Sequence, residues 1–410
     1  MTKYIGVDLG TANTLVYCKG KGIVLKEPSV VAVESESGRV LAVGREAKNM
    51  IGRTPDEVMV IRPMKGGVIA DFDVTQAMLK AFIERSCPGG VMRPHVTICV
   101  PFGVTEVERR AVLEAVMRSG GKNAYVIEEP MAAALGAELP VSEATGSMVV
   151  DIGGGTCEVA VVSFGGIVAS TSIRYAGDKM DADIAEYVKN IYNLMIGERT
   201  AEDIKISIGT AHPSCEEKSL SVMGRDLASG LPRLLTITSS EVRGAIAGTI
   251  SKVIGAVRDT LENTPPELAA DIVSRGIVLT GGGAKLPGLD LLIQEKQQDK
   301  SYKIWKNRHI PRRLLHIFYY YIGKIHAFHI GHHFIDIRYI KTLRLVFLAD
   351  HNHTAGRNFL ILHDLHRRYF ILLQVLLKTV IVITIFVHAS KQIITKHCQH
   401  DHHSNENEKS

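Results

Sequence analysis

Val149-Val150-Asp151-Ile152-Gly153-Gly154-Gly155-Thr156-Cys157-Glu158-Val159-Ala160-Val161-Val162 is the stretch on which the reading of the fold turns. An apolar strand ends in an acidic residue, passes through a glycine turn with a hydroxyl, and re-enters an apolar strand. Two strands joined by so glycine-rich a turn form a hairpin whose backbone N–H groups can converge on one point. Such a nest of amides suits phosphate oxygens, and Asp151 beside it suits a hydrated divalent cation. The same grammar occurs about 140 residues earlier, at Tyr4-Ile5-Gly6-Val7-Asp8-Leu9-Gly10-Thr11-Ala12-Asn13-Thr14-Leu15-Val16-Tyr17. One glycine-rich hairpin is most often a plain turn. Two, each with Asp at the end of its first strand and Gly and Thr in the turn, predict two related domains closing on one polyphosphate. Asp8 and Asp151 would face each other around hydrated Mg²⁺, and the Thr11 and Thr156 hydroxyls would meet phosphate oxygens. Gly276-Ile277-Val278-Leu279-Thr280-Gly281-Gly282-Gly283 supplies a third strand-to-glycine turn, and no GxxxxGK[ST] occurs, which excludes a P-loop.

At 410 residues the chain exceeds one ordinary core, so two or more domains are expected. Its net charge of +5 hides a split: residues 1–296 hold 31 Lys/Arg against 36 Asp/Glu, whereas residues 297–410 hold 17 against 7. Fifteen of the 17 His and only three of the 37 Gly lie after residue 300. A mildly acidic, glycine-rich body is thus followed by a basic, His-rich tail, and the body gives no reason to expect a nucleic-acid partner. Six scattered Cys without a CxxC pair indicate neither a zinc site nor a disulfide framework, and they fit a reducing cytosol. The N-terminus runs into an apolar strand without a charged-then-apolar leader, so secretion is not expected.

Along the chain, Lys19 to Gly22 predicts a turn, Glu27 to Val33 a strand, and Ser35 to Gly38 a hairpin tip. Asp73 is expected to cap a helix with Val74, Ala77, Met78, Ala81 and Phe82 inward. Val96 to Pro101 reads as a buried strand, and Thr105-Glu106-Val107-Glu108 as a capping box. Tyr125 to Pro130 reads as a strand delivering two carboxylates to a loop, with a small-residue helix from Met131. A helix is expected from Met180 through Met195, ended by Gly197, and a short one from Thr200 to Lys205. His212 to Thr238 reads as a polar, turn-rich insertion, followed by a long helix from Ser239 to Asn263 that Pro265-Pro266 stops. Leu286 to Ile293 should begin another helix. Strands alternating with helices predict α/β layers, and the duplicated hairpins predict mixed sheets.

Glu129 is the candidate for orienting an attacking water, since phosphoryl transfer to water needs a polar group that aligns the nucleophile. The plainer alternative makes Glu128 and Glu129 solvated loop charges. Cys157 reads as a packed side chain rather than a nucleophile, because no obvious base lies nearby.

Asp8 to Thr14, Glu128 to Ala134, Asp151 to Thr156 and Leu279 to Ala284 resemble the phosphate, connecting and adenosine motifs of the actin/Hsp70/sugar-kinase ATPase superfamily. Val104 to Ala111, Leu139 to Gly146 and Gly197 to Lys205 narrow the resemblance to the bacterial actins of the MreB family, over residues 1 to about 295. The resemblance implies an actin-like ATPase fold, with two duplicated domains around a nucleotide cleft, each bearing a small inserted subdomain. Domain I would span 1–140, with its subdomain at about 29–61; domain II would span 141–295, with its subdomain at about 175–239. It implies ATP and Mg²⁺ as cofactors and slow ATP hydrolysis coupled to filament assembly. By the same resemblance the filaments would lie in the cytoplasm against the inner face of the cell membrane. There they would work with MreC, MreD and RodZ in cell-wall elongation and rod shape. Residue by residue, Thr11, Ala12 and Asn13 match the first phosphate loop, and Gly153, Gly154 and Gly155 the second. Glu202 and Lys205 match the adenine-side helix, Gly281, Gly282, Gly283 and Ala284 the adenosine loop, and Glu129 and Thr156 the water-positioning pair. Family members contact the membrane through an apolar loop or an N-terminal amphipathic helix. No such helix precedes Tyr4, and the loop around Gly90-Val91-Met92 is only modestly apolar.

Two other classes share the fold. An Hsp70-like chaperone would need a peptide-binding β-domain and acidic lid, which the basic tail does not supply. A sugar or acetate kinase would need a base and an acceptor pocket between the domains. From about Glu295 the chain departs from the family ending. A shifted or antisense reading frame, or a gene-model join, fits the change in composition best and would give a non-functional product lacking the closing elements of domain I. A membrane anchor at Phe370 to Val387, interrupted by Gln374 and Lys378, is a second reading. A metal site at His397, Cys398, His400, His402 and His403 is a third.

Overall fold

The computed structural model describes residues 3–88, 93–296 and 304–306. In the first half, β1 (Tyr4–Leu9), β2 (Asn13–Cys18) and β3 (Gly22–Pro28) form an antiparallel meander, followed by β4 (Val31–Glu34), β5 (Val40–Val43), α1 (Arg45–Met50) and β6 (Val58–Ile61). The short hairpin β7 (Met64–Lys65) and β8 (Val68–Ile69) leads into α2 (Phe72–Ser86), β9 (His95–Val100), α3 (Glu106–Arg118), β10 (Asn123–Glu128) and α4 (Glu129–Gly136). The second half repeats the opening meander with β11 (Ser147–Ile152), β12 (Cys157–Ser163) and β13 (Gly166–Ile173). It continues with α5 (Gly177–Tyr192), β14 (Leu194–Met195), α6 (Glu198–Ile208), β15 (Ser219–Asp226) and β16 (Pro232–Thr238). It ends with α7 (Ser239–Glu262), α8 (Pro266–Arg275), β17 (Ile277–Thr280), α9 (Leu289–Lys296) and β18 (Ile304–Lys306).

The two main sheets have one plan. Their orders are β3-β2-β1-β9-β10 and β13-β12-β11-β17-β18. In each, the first strand pairs antiparallel with its hairpin partner on one side and parallel with a crossover strand on the other. The mixed sheets expected from the duplicated hairpins are thus present, for a physical reason: a four-residue glycine turn returns the chain antiparallel, whereas a helical crossover returns it parallel. Each half has its own core. Ile5, Val7, Leu9, Phe82, Ile98 and Val116 centre the first, and Val150, Ile152, Val159, Ile184, Val253 and Leu279 the second. A third cluster joins them through α4, with Met131 and Ala134 packed among Cys99, Ile127, Val149 and Ala160. Small side chains on α4 let both sheets approach it closely. Two three-stranded sheets, β5-β4-β6 and β14-β15-β16, are carried outside the main ones.

Several local expectations change. Glu27 to Val33 is split between β3 and β4. Asp71, not Asp73, caps α2 by accepting the Val74 N–H at 3.0 Å. Glu129 is the first residue of α4 rather than part of a loop, because Pro130 fits a first helical turn, where its missing N–H is not needed. The helix through Met180 stops at Tyr192, where Asn193 turns left-handed and frees Leu194 and Met195 to pair with β15. The polar stretch after His212 contains the hairpin β15–β16, and Pro266 begins α8 as well as following α7. The Gly90-Val91-Met92 loop, the Phe370 to Val387 segment and the His397 to His403 cluster lie outside the described residues. Inside the region assigned to the tail, β18 extends the second sheet parallel to β17, and the Trp305 indole N–H donates to the Arg275 carbonyl at 3.1 Å.

Candidate functional site

Asp8 and Asp151 occupy equivalent places, one residue before the ends of β1 and β11. Burial and the charge of Asp151 push the Asp8 carboxyl up to about 7. Burial also raises Asp151, partly offset by the Thr280 hydroxyl, which donates to its Oδ1 at 2.9 Å. Two half-sequestered carboxylates of like charge raise each other's cost of ionisation, and a bound cation relieves it.

The two glycine turns meet face to face. A Cβ added to Gly154 would stand 2.7 Å from the Ala12 Cβ, and one added to Gly155 would stand 2.5 Å from the Thr11 Oγ. Thr11 is buried, and its hydroxyl accepts the Gly67 N–H at 3.0 Å, tying the β7–β8 hairpin to the first turn. Asn13 is exposed and begins β2 opposite Pro28. In the second turn the Gly153 N–H donates to the Thr156 carbonyl at 2.9 Å, which closes the loop. The carbonyls of Gly153 and Gly154 accept the N–H groups of Gly177 and Asp178 at 3.2 and 2.8 Å, so the turn abuts the N-terminus of α5. That helix end adds partial positive charge beside the amides of the turn.

Glu129 and Thr156 both lie at this junction. Burial, followed by the charges of Glu158, Asp8 and Asp151, holds the Glu129 carboxyl well above the usual carboxylate range. Thr156 is buried, and its methyl faces the place where a Cβ on Gly67 would sit, 3.0 Å away. Cys157 points into the second core, and burial raises its thiol strongly, as expected of a packed side chain.

The remaining sequence-derived residues form protein contacts of their own. Lys205 donates to the Gly177 carbonyl at 2.9 Å and to Asp181 at 2.8 Å, which brings α6 to the second glycine turn. Burial raises Asp181 to about 6 despite that lysine. Glu202 pairs with Lys48 of α1 at 2.6 Å, and Glu198 pairs with Arg62, just past β6, at 2.6 Å. Both pairs join the two halves. Gly281 needs its left-handed φ of 84° and lies so close to Asp151 that a Cβ would come within 2.6 Å of Oδ1. Gly283 packs on Ile152, Ala284 is buried, and Gly282 is exposed. Thus the third glycine turn touches the end of β11 that leads into the second, whereas Glu202 is drawn toward the opposite half.

Sequence reasoning missed Glu158, Gly67, Asp181, Lys48 and Arg62. A signal for Glu158 was present. The four-residue turn sets Ile152 opposite Cys157 and hence Asp151 opposite Glu158, on one face of the sheet. No local pattern announces the other four, which depend on how the halves approach.

Among the described residues no cluster of three or more His, Cys, Asp or Glu forms a ready metal cage. The donor set still fits a magnesium ion that keeps its waters: two carboxylates, an adjoining hydroxyl, and amide-rich turns for the oxygens of a bound phosphate.

Two repeated halves that appose glycine hairpins over a carboxylate-lined floor define the actin-like class of fold. The MreB/Mbl protein family model matches residues 2–302. The chain is 54% identical over 293 residues to the cell shape-determining protein Mbl of Bacillus subtilis, covering 71% of this chain and 88% of that one. It is also 54% identical over 298 residues to the cell shape-determining protein MreB of Escherichia coli, covering 71% and 86%. The crystal structure of MreB 5 of Spiroplasma citri bound to AMPPNP superposes with a TM-score of 0.75 at 36% identity, covering 80% of this chain and 98% of that one. This chain belongs to the MreB/Mbl family. Among the described residues no helix is long and apolar enough to cross a membrane.

Proposed function

We propose that the chain is an ATP-binding, filament-forming bacterial actin that takes part in determining rod cell shape. The observation that carries this reading is the apposition of the Thr11–Ala12 and Gly154–Gly155 turns, with Asp8 and Asp151 beneath them. The cell shape-determining relatives and the AMPPNP-bound MreB 5 of Spiroplasma citri support it.

In this reading residues 1–140 and 141–295 act as two domains that close on the nucleotide. The amides of Thr11, Ala12 and Asn13 bind phosphate oxygens from one side, and those of Gly153, Gly154 and Gly155 from the other. Asp8 and Asp151 hold the waters of Mg²⁺, which when bound neutralises charge on the β- and γ-phosphates. Glu129 and Thr156 orient the attacking water in line with the leaving oxygen. Glu202, Lys205 and the Gly281 to Ala284 loop line the nucleoside side. Hydrolysis is slow and serves to switch the protein between polymerising and dissociating states. The filaments lie against the inner face of the membrane and engage MreC, MreD and RodZ.

Sedimentation with and without Mg²⁺ and ATP, together with an assay for phosphate transfer to small alcohols, tests the reading. ATP-dependent pelleting with phosphate release to water is the expected result. Non-sedimenting protein with kinase turnover would favour a sugar-kinase-like activity and sink the filament assignment.

A further inference from the structure

Glu158 lies directly across the hairpin from Asp151, near the start of β12 and two residues past Thr156 of the turn. Its exposure is 2%, and a carboxylate is rarely buried so completely unless it is paired. Among the described residues no Lys or Arg contributes to its electrostatic surroundings. One oxygen, Oε1, accepts the Phe102 N–H at 3.1 Å and the Ser172 hydroxyl at 3.2 Å. The other, Oε2, is buried with no hydrogen-bond partner.

The two partners of Oε1 come from different halves. Ser172 is on β13, next to β12 in the second sheet, whereas Phe102 follows β9 in the first. Its neighbour Pro101 lies against Gly67, where a Cβ would come within 2.6 Å of the proline ring, and Gly67 is tied to the Thr11 hydroxyl. Phosphate turn, hairpin and loop are therefore connected through to a single carboxylate. Of the charged groups that raise Glu129, Glu158 contributes most after burial.

A buried carboxylate with one oxygen unpartnered costs stability that an uncharged side chain of the same shape would not. Such a cost, next to a residue that orients a nucleophile, points to function. We infer that Glu158 is a positioning residue for hydrolysis: it holds the Phe102 loop to β12 and uses its second oxygen to fix Glu129 and the water between them. The inference rests on the ATPase reading. Glu158 touches neither phosphate nor metal in this role; it acts through Glu129.

Glu158→Gln separates this role from a structural one, because glutamine keeps an acceptor for Phe102 and Ser172 but replaces the second acceptor oxygen with an amide donor. In the full chain, titration with a fluorescent ATP analogue and single-turnover hydrolysis with Mg²⁺ and ATP are compared with thermal melting. The expected result is nucleotide affinity within about two-fold of the unmodified chain, hydrolysis slowed at least about ten-fold, and a melting point equal or higher. Hydrolysis at the unmodified rate, or affinity lost as much as rate, would overturn the inference. A lower melting point with proportionate losses in both would show a merely structural residue. If the unmodified chain binds no ATP or releases no phosphate, the ATPase reading fails first, and this role fails with it.

Discussion

Lys48 and Glu202, like Arg62 and Glu198, meet at 2.6 Å where α1 and β6 of one half approach α6 of the other. On the floor of the same cleft Asp8, Glu129, Asp151 and Glu158 crowd together, and burial is the first cause of every upward shift among them. The bridge is opposite in charge and partly solvated; the floor is like in charge and dry. Exposed pairs of the first kind contribute about 0–1 kcal/mol each and can open and close at small cost. Buried like charges of the second kind are costly to ionise, a cost that a proton or a bound cation relieves. Under the proposed function, the difference teaches where the ligand's energy would go: into compensating the floor, while the bridge would guide the approach of the halves.

The sharpest way to break this division is at Glu129. Glu129→Ala should leave nucleotide affinity nearly unchanged and slow single-turnover hydrolysis by about 100-fold, the low end for loss of a group that acts on the nucleophile. An equal loss of affinity and rate would place Glu129 among the binding residues instead. At Asp151 the division predicts opposite signs with and without ligand. Asp151→Asn should raise the melting point of the bare chain, by relieving a like charge, and abolish the stabilisation that Mg²⁺ with ADP confers. For the unmodified chain that stabilisation reaches about 2.7 kcal/mol at a ligand concentration of about 100 Kd.

Titration sharpens the comparison further. The folded Asp8 carboxyl sits at about 7, above its ordinary 3.8, so between those values the folded state holds a proton that the unfolded state has released. Stability without ligand should therefore fall as pH rises through that window. Glu158, at about 8, extends the fall upward. Melting curves across this range, repeated with Mg²⁺ and ADP, should show the slope flatten when the cation is present. The smallest effect belongs to the bridge. Lys48→Ala or Arg62→Ala should speed nucleotide release by no more than about five-fold, and stopped-flow displacement at high salt should erase the difference.

The legible parts of the molecule were those set by neighbours in sequence. Asp8, Thr11, Asp151 and Thr156 could be placed because strand, acidic end and glycine turn are one local pattern, and its repetition gave the second half. The capping box at Thr105 was equally local and is present with both of its hydrogen bonds. Errors arose where one residue type serves two ends. Pro265-Pro266 does stop α7, but the same prolines open α8, which the stop signal hides, and Asn193 ends a helix that the apolar spacing carries on to Met195. The bridge stayed invisible because Lys48 and Glu202 are 154 residues apart and look like ordinary surface charges until the halves meet. Glu158 stood in plain sight within the deciding stretch, but its importance lies in the Phe102 amide and an unpartnered oxygen, which only the folded chain reveals.

Gly154 is proposed as a seat for phosphate oxygens, yet a Cβ there would meet the methyl of Ala12 first, with Asp178 close behind. A single methyl at this position would act as a shim. It adds no charge and removes no hydrogen bond, but it cannot share the space with Ala12 unless the two turns stand apart. Gly154→Ala would thus set the resting gap of a hinged machine, and graded side chains there would give a ruler for how far it must shut before it works.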